Sequence, residues 1–184
     1  MILYQTVEDR NNPDDIERYA PYLCNASNAW LGDGYYFWDT LIANAHWWGR
    51  SRYHNTSYVI VEFNCDSISN GKCYDLHGNM EHLSHFNQYI NLLTKQSLFS
   101  DSDTVSKVIH YLKDKTDFLK RYEAIRAYGH QSKSRSQFVL FERNKCYGLE
   151  RIPAVQLCLF RKNSLNLSAG RIVFPESYST EYII

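Results

Sequence analysis

Apolar positions change their period several times along this chain, and each change marks an element. Ile2 to Thr6 fits a short opening strand. Arg10 to Asp15 (RNNPDD) is turn chemistry, with Asp14 or Asp15 able to cap a short helix. Trp30 to Trp38 reads as an aromatic strand introduced by a Gly32-Asp33-Gly34 turn. Asp39 then suits the N-cap of a helix running through Leu41, Ile42, Ala45 and Trp48, with Gly49 near its end. Ser57 to Phe63 (SYVIVEF) is the clearest strand, because it is rich in β-branched residues. Tyr74 to Leu76 gives another short one.

The period lengthens after that. Leu83, Phe86, Tyr89, Ile90 and Leu93 recur at helical spacing and predict a helix over 79–98. Val105, Val108, Ile109 and Leu112 repeat the pattern, and Phe118 to Tyr128 reads as its continuation. A polar loop over 130–136 follows, then strands at Gln137 to Phe141, Val155 to Phe160 and Arg171 to Phe174. Strands open and close the chain, and helices gather early and in the middle. That order predicts an α+β fold with a mostly antiparallel sheet rather than a regular βαβ alternation.

No repeat, low-complexity tract or linker divides the chain, so residues 1–184 are expected to form a single domain. Aromatic residues reach 15%, with fifteen Tyr and four Trp, enough to offer ring faces for flat ligands beyond ordinary core packing. Formal net charge is zero, so the whole-molecule field selects no partner. The charge is uneven, however. Residues 1–50 hold seven acidic side chains against three basic ones, and residues 107–145 hold ten basic against four acidic. The second region is either a site for an anionic partner or a solvated face of mixed charge.

Five cysteines, an odd number with no CxxC spacing, argue against a disulfide framework or a metal finger. The first residues, MILYQTVEDR, lack the basic and apolar regions of a signal peptide. No apolar run approaches the ~18 residues of a membrane span. A reducing cytoplasm is the expected setting. No metal site is expected either. His82 and His85 lie three apart on one helical face, but they have no third ligand at helical spacing, and His77, His82 and His85 are expected at the surface.

Chemistry concentrates in Gly32 to Trp48 (GDGYYFWDTLIANAHWW). The glycines allow a sharp turn and close backbone approach to a ligand. Strand alternation then sends Tyr36 and Trp38 to one face and Tyr35 and Phe37 to the other. A helix after Asp39 carries Trp47 back over the strand. Tyr36 and Trp47 can thus wall a slot suited to a flat aromatic amide, unless the rings are simply core.

This segment resembles the NAD-binding segment of ADP-ribosyltransferases of the diphtheria-toxin and poly(ADP-ribose) polymerase class. The family pattern is Gly-x-Gly-x-Tyr-Phe-x-Asp followed by a helix, and Gly32, Gly34, Tyr36, Phe37 and Asp39 match it without gaps. Ala45 falls on the family's alanine, Trp47 on its second stacking ring, and Asn44 where a serine is usual. The chain is also similar to a bacterial group reading W-L-G-D-G-x-Y-F-W. The close match covers about seventeen residues, and the rest agrees by element order alone.

The resemblance implies an ADP-ribosyltransferase-type split β-sandwich with an N-terminal helix and a central helical insertion. It implies NAD as the substrate, with Tyr36 and Trp47 sandwiching the nicotinamide and Gly34 and Asn44 among the NAD contacts. The family's first-strand His-Gly motif has only Leu3-Tyr4-Gln5-Thr6 as its counterpart, so Gln5, followed by Thr6, would take the distal ribose, and the glycine is absent. The family's late-strand glutamate falls on Gln156, which would hold the reacting ribose without supplying a charge. Glu150, Glu176 and Glu181 are substitutes for that carboxylate. Arg126 can meet the NAD pyrophosphate or an anionic target bidentately, or form a core-edge salt bridge. Lys133 and Arg135 can touch a target.

The activity implied is transfer of ADP-ribose to a macromolecular acceptor, protein or nucleic acid, by an intracellular toxin or defence effector with a cognate inhibitor protein. NAD glycohydrolysis, or non-catalytic binding of NAD, ADP-ribose or RNA, remain as alternatives.

Overall fold

The computed structural model describes residues 1–27, 29–68, 71–129, 138–143 and 147–179. In chain order the elements are β1 Ile2–Glu8, α1 Pro13–Tyr19, β2 Tyr35–Asp39, α2 Ile42–Arg52, β3 Tyr58–Asn64, β4 Cys73–Asp75, α3 Met80–Lys95 and α4 Val105–Lys115. They continue with α5 Phe118–Arg121, β5 Ala124–Tyr128, β6 Phe138–Leu140, β7 Gly148–Glu150, β8 Val155–Leu159 and β9 Arg171–Phe174. Seven strands form one sheet in the order β4-β5-β8-β2-β1-β3-β9, and β6 and β7 form a separate hairpin. All pairings are antiparallel except β4 with β5. The fold is α+β, as the element order predicts. Among the described residues, no helix is long and apolar enough to cross a membrane.

Strand alternation divides the core. On one face Leu3, Phe37, Val61, Phe63 and Leu157 pack with Ile16 of α1. The opposite face carries two separate clusters. Tyr74, Ile125 and Cys158 meet Phe86 and Leu93 of α3 and Val108, Ile109 and Leu112 of α4. Tyr4, Trp38 and Ile60 meet Ala45 of α2. Tyr36 belongs to the first of these clusters and Trp38 to the second, so β2 marks the seam between them.

The pairing of β1 is lopsided. Seven residue pairs join it to β3, and only Leu3↔Asp39 and Tyr4↔Trp38 join it to β2. Beyond Tyr4 the two central strands part.

Several local expectations need correction, among them the cap of α1, which falls on Asn12 while Asp14 and Asp15 lie in the first turn. Phe118 to Tyr128 is not one helix, since α5 stops at Arg121 and Ala124–Tyr128 is a sheet strand. Ala124, Arg126 and Ala127 favour helix locally, but Ile125 and Tyr128 suit a strand, and a place between β4 and β8 gives the segment ladder partners on both sides. The strand expected from Trp30 starts only at Tyr35, after a turn with Gly32 at φ 77°. Asp39 ends β2 instead of capping α2; the cap position is Leu41, without a side-chain hydrogen bond. The polar loop over 130–136, with Lys133 and Arg135, lies outside the described residues.

His82 and His85 are half-buried rather than on the surface. The Asp75 N–H donates to His82 Nδ1 at 3.0 Å, which requires a lone pair there and therefore a neutral ring. His85 Nδ1 lies 2.9 Å from the Tyr74 hydroxyl. Burial pulls both imidazoles below their ordinary value. A lowered folded-state value means the unfolded chain takes up protons first. The stability these rings contribute is whole above pH ~6.5 and is lost as pH falls from there through their folded values. The urea midpoint is expected to drop between pH 7.5 and 5.5, and His82→Gln with His85→Gln should flatten that dependence. An unchanged slope would show that other groups govern it.

Candidate functional site

A cavity of about 820 Å³ opens where β1 and β2 part. It is within the size range of small-molecule sites, roughly 300–1,000 Å³. β1 contributes Gln5, Thr6 and Val7, β2 contributes Tyr36 to Trp38, and β8 contributes Gln156. Residues Tyr22 to Ala26, with Ala29 and Trp30, form one flank, and Trp48, Arg52 and Tyr53 in the second half of α2 and just after it form another. No Asp or Glu is among the described residues that line it, and Arg52 is the one Lys or Arg.

Gln5 bridges the parted strands. Its Nε2 donates to Tyr22 O at 3.0 Å and Tyr36 O at 3.3 Å, and its Oε1 accepts from Tyr22 N at 2.8 Å. Both amide hydrogens are thus committed to the backbone, which leaves one lone pair on Oε1 for a ligand. Thr6 donates its hydroxyl to Ala45 O at 2.9 Å and so ties β1 to α2. Tyr36 is held at its far end. Its hydroxyl donates to Gly32 O and accepts from Leu31 N, each at 2.8 Å. Burial, and then Cys158 beside it, push that hydroxyl far above its ordinary value, so it stays protonated. Cys158 is itself pushed up to about 12, chiefly by burial, and is no nucleophile.

Gln156 shares a face with Cys158, opposite Trp38 on β2 and Ala127 on β5. Its Oε1 accepts from the Trp30 indole N–H at 2.6 Å. An indole nitrogen only donates, so the amide atom facing it must be the oxygen. No described residue accepts from Gln156 Nε2, which leaves the NH₂ group for a ligand. Gln156 therefore presents a donor to the cavity.

Four other residues singled out in the sequence lie outside this lining. Trp47 packs edge-on against Trp38 with ring centroids 6.1 Å apart, while its neighbour Trp48 lines the cavity. Asn44 is buried and donates Nδ2 to Pro153 O at 2.9 Å, joining α2 to the approach of β8. A Cβ at Gly34 would run into Cys158 Sγ and Leu159 O, so its glycine serves the close approach of β8. Arg126 borders a second cavity of about 280 Å³. There its Nε meets Asp39 Oδ2 at 2.7 Å, and its Nη1 meets Asp75 Oδ1 at 3.1 Å. Asp39, the aspartate of the Gly-x-Gly-x-Tyr-Phe-x-Asp pattern, is thus one partner of Arg126.

The substitute carboxylates are elsewhere too. Glu150 accepts from the Tyr128 hydroxyl, Glu176 begins a short 3₁₀ turn, and neither lines the cavity; Glu181 lies outside the described residues. Among the described residues, no group of three His, Cys, Asp or Glu side chains is placed to hold a metal ion.

Sequence reasoning passed over Trp30, Trp48 and Arg52 as site residues. Trp30 and Gln156 are 126 residues apart, and no local period links them. Trp48 was legible as a helix aromatic, but the choice between adjacent tryptophans depends on how α2 turns over the sheet. Arg52 carried no sequence signal beyond a basic helix end. No family model matches this chain, and no curated protein or solved structure matches it either.

Proposed function

We propose that the 820 Å³ cavity binds NAD and that the chain transfers ADP-ribose from it to a macromolecular acceptor, releasing nicotinamide. One observation carries this reading. Gln5 and Thr6, Tyr36 and Gln156, from three distant stretches of sequence and each singled out by the resemblance, all line the same cavity. The parting of β1 from β2 opens a cleft within one continuous seven-stranded sheet, and a split of that kind is what the ADP-ribosyltransferase-type reading requires there.

Residue roles follow from the bonding. Tyr36 offers a ring fixed by two hydrogen bonds. The Gln156 NH₂ donates to a ribose oxygen and orients the sugar as the nicotinamide–ribose bond breaks. The bonding pair leaves with nicotinamide, the ribose becomes cation-like, and an acceptor nucleophile closes on the same carbon. The role proposed is that of an intracellular effector, with protein or nucleic acid as acceptor and a cognate inhibitor protein as partner.

A second reading rests on a specific observation. No carboxylate is among the described lining residues, so nothing there opposes the developing positive charge. On that reading the chain holds NAD or ADP-ribose without reacting. Nicotinamide release from NAD by purified protein, with and without cell lysate, separates the two. The first reading predicts release, label on a macromolecule in lysate, and at least a roughly tenfold loss in Gln156→Ala, the scale of one lost hydrogen bond to substrate. Release without a labelled acceptor would mean hydrolysis. NAD binding without release favours the second reading, and binding of neither NAD nor ADP-ribose overturns both.

A further inference from the structure

We infer that Arg52 is the anion-binding residue of this cavity and takes a phosphate of a nucleotide ligand; the inference rests on the cavity being a nucleotide site. Arg52 ends α2 and is exposed. It borders the cavity beside Tyr53 and Trp48. It is the only Lys or Arg among the described lining residues, and no acid there opposes it. Its guanidinium has no carboxylate within ion-pair distance among the described residues, unlike Arg10, Arg126 and Arg171. A guanidinium fork with free donors on the wall of an aromatic cavity suits a phosphate beside a flat ring.

The competing explanation is the helix dipole. A cation in the last turn offsets the partial negative charge of the helix end. That explanation covers Arg50 equally well, because both arginines occupy the last turn of α2. Only Arg52 also borders the cavity. The two residues therefore separate a ligand role from a dipole role, and Arg50 serves as the internal control. Arg126, the arginine expected to meet pyrophosphate, has its guanidinium engaged by Asp39 and Asp75 at the other cavity, so the larger cavity draws its positive charge from α2.

The experiment titrates NAD, ADP-ribose and nicotinamide riboside into the wild-type chain, Arg52→Gln and Arg50→Gln. Arg52→Gln is expected to weaken NAD and ADP-ribose roughly tenfold to a hundredfold, the scale of a charge-assisted hydrogen bond. Nicotinamide riboside, which lacks phosphate, should bind both proteins alike, and Arg50→Gln should match the wild type throughout. Added salt should weaken NAD binding to the wild type and scarcely affect Arg52→Gln. Equal NAD affinity in wild type and Arg52→Gln would overturn the role of Arg52 and leave the nucleotide site standing. A wild type that binds none of the three ligands would overturn both.

Discussion

Arg126→Met is expected to destabilise the chain by about 3–5 kcal/mol, the usual cost of removing one partner from a buried ion pair. The side chains of Arg126, Asp39 and Asp75 are 15%, 5% and 11% exposed, so water can do little for what is left behind. Methionine fills similar space but donates nothing. Two carboxylates would then share a nearly dry site with, among the described residues, Thr40 and the backbone N–H groups of His77 and Gly78 as their remaining donors. Domains are stable by only about 5–15 kcal/mol, so the variant should unfold at a much lower urea concentration. Adding Asp39→Asn and Asp75→Asn should restore part of the loss, because neutral amides are cheaper to bury than unpaired charges. A loss under ~1 kcal/mol would place the triad in the class of weak surface pairs. The same variant tests the other role of Arg126. A folded protein with lost NAD affinity would point to pyrophosphate binding, whereas an unstable protein points to the triad.

The triad also shows what the sequence could and could not reveal. Asp39 and Arg126 both stood out, Asp39 as a helix cap and Arg126 as a phosphate ligand, yet nothing local says that they meet across 87 residues. Elements with strong periods were legible. SYVIVEF became β3, and the spacing of Phe86 and Leu93 became the buried face of α3. Asn79, expected as the first helical residue, instead caps that helix by accepting from Glu81 N and His82 N. Ala124–Tyr128 was illegible because its alanines and arginine favour helix while Ile125 and Tyr128 favour strand, and only its sheet neighbours decide between them. The alternation in β2 placed Tyr36 and Trp38 on one face, and the structure agrees. The cavity itself depends on where β1 and β2 stop pairing, which no single strand encodes.

Gln156→Glu should raise nicotinamide release above the wild-type rate by roughly 10–10²-fold, a size in keeping with one preorganised electrostatic contact. Trp30 decides how the new group would sit. Its indole N–H binds one oxygen of the side chain at 2.6 Å in the wild type and can bind a carboxylate oxygen the same way. The second oxygen then replaces Nε2 and faces the cavity as an acceptor. It can take a ribose hydroxyl proton in a hydrogen bond and oppose the positive charge that grows as nicotinamide departs. Burying a new charge has a cost, but Gln156 is only half-buried and the described lining offers no competing acid. The gain requires an ionised carboxylate, so it should fade as pH falls through that group's range, while the wild-type rate stays comparatively flat there. Gln156→Met, with neither charge nor donor, should fall below the wild type. NAD affinity must be measured beside the rate, since a negative charge can also repel the pyrophosphate. A variant that binds NAD as well as the wild type but releases nicotinamide no faster would mean that the reacting ribose does not reach position 156. The cavity would then be a place where the nucleotide is held rather than cleaved.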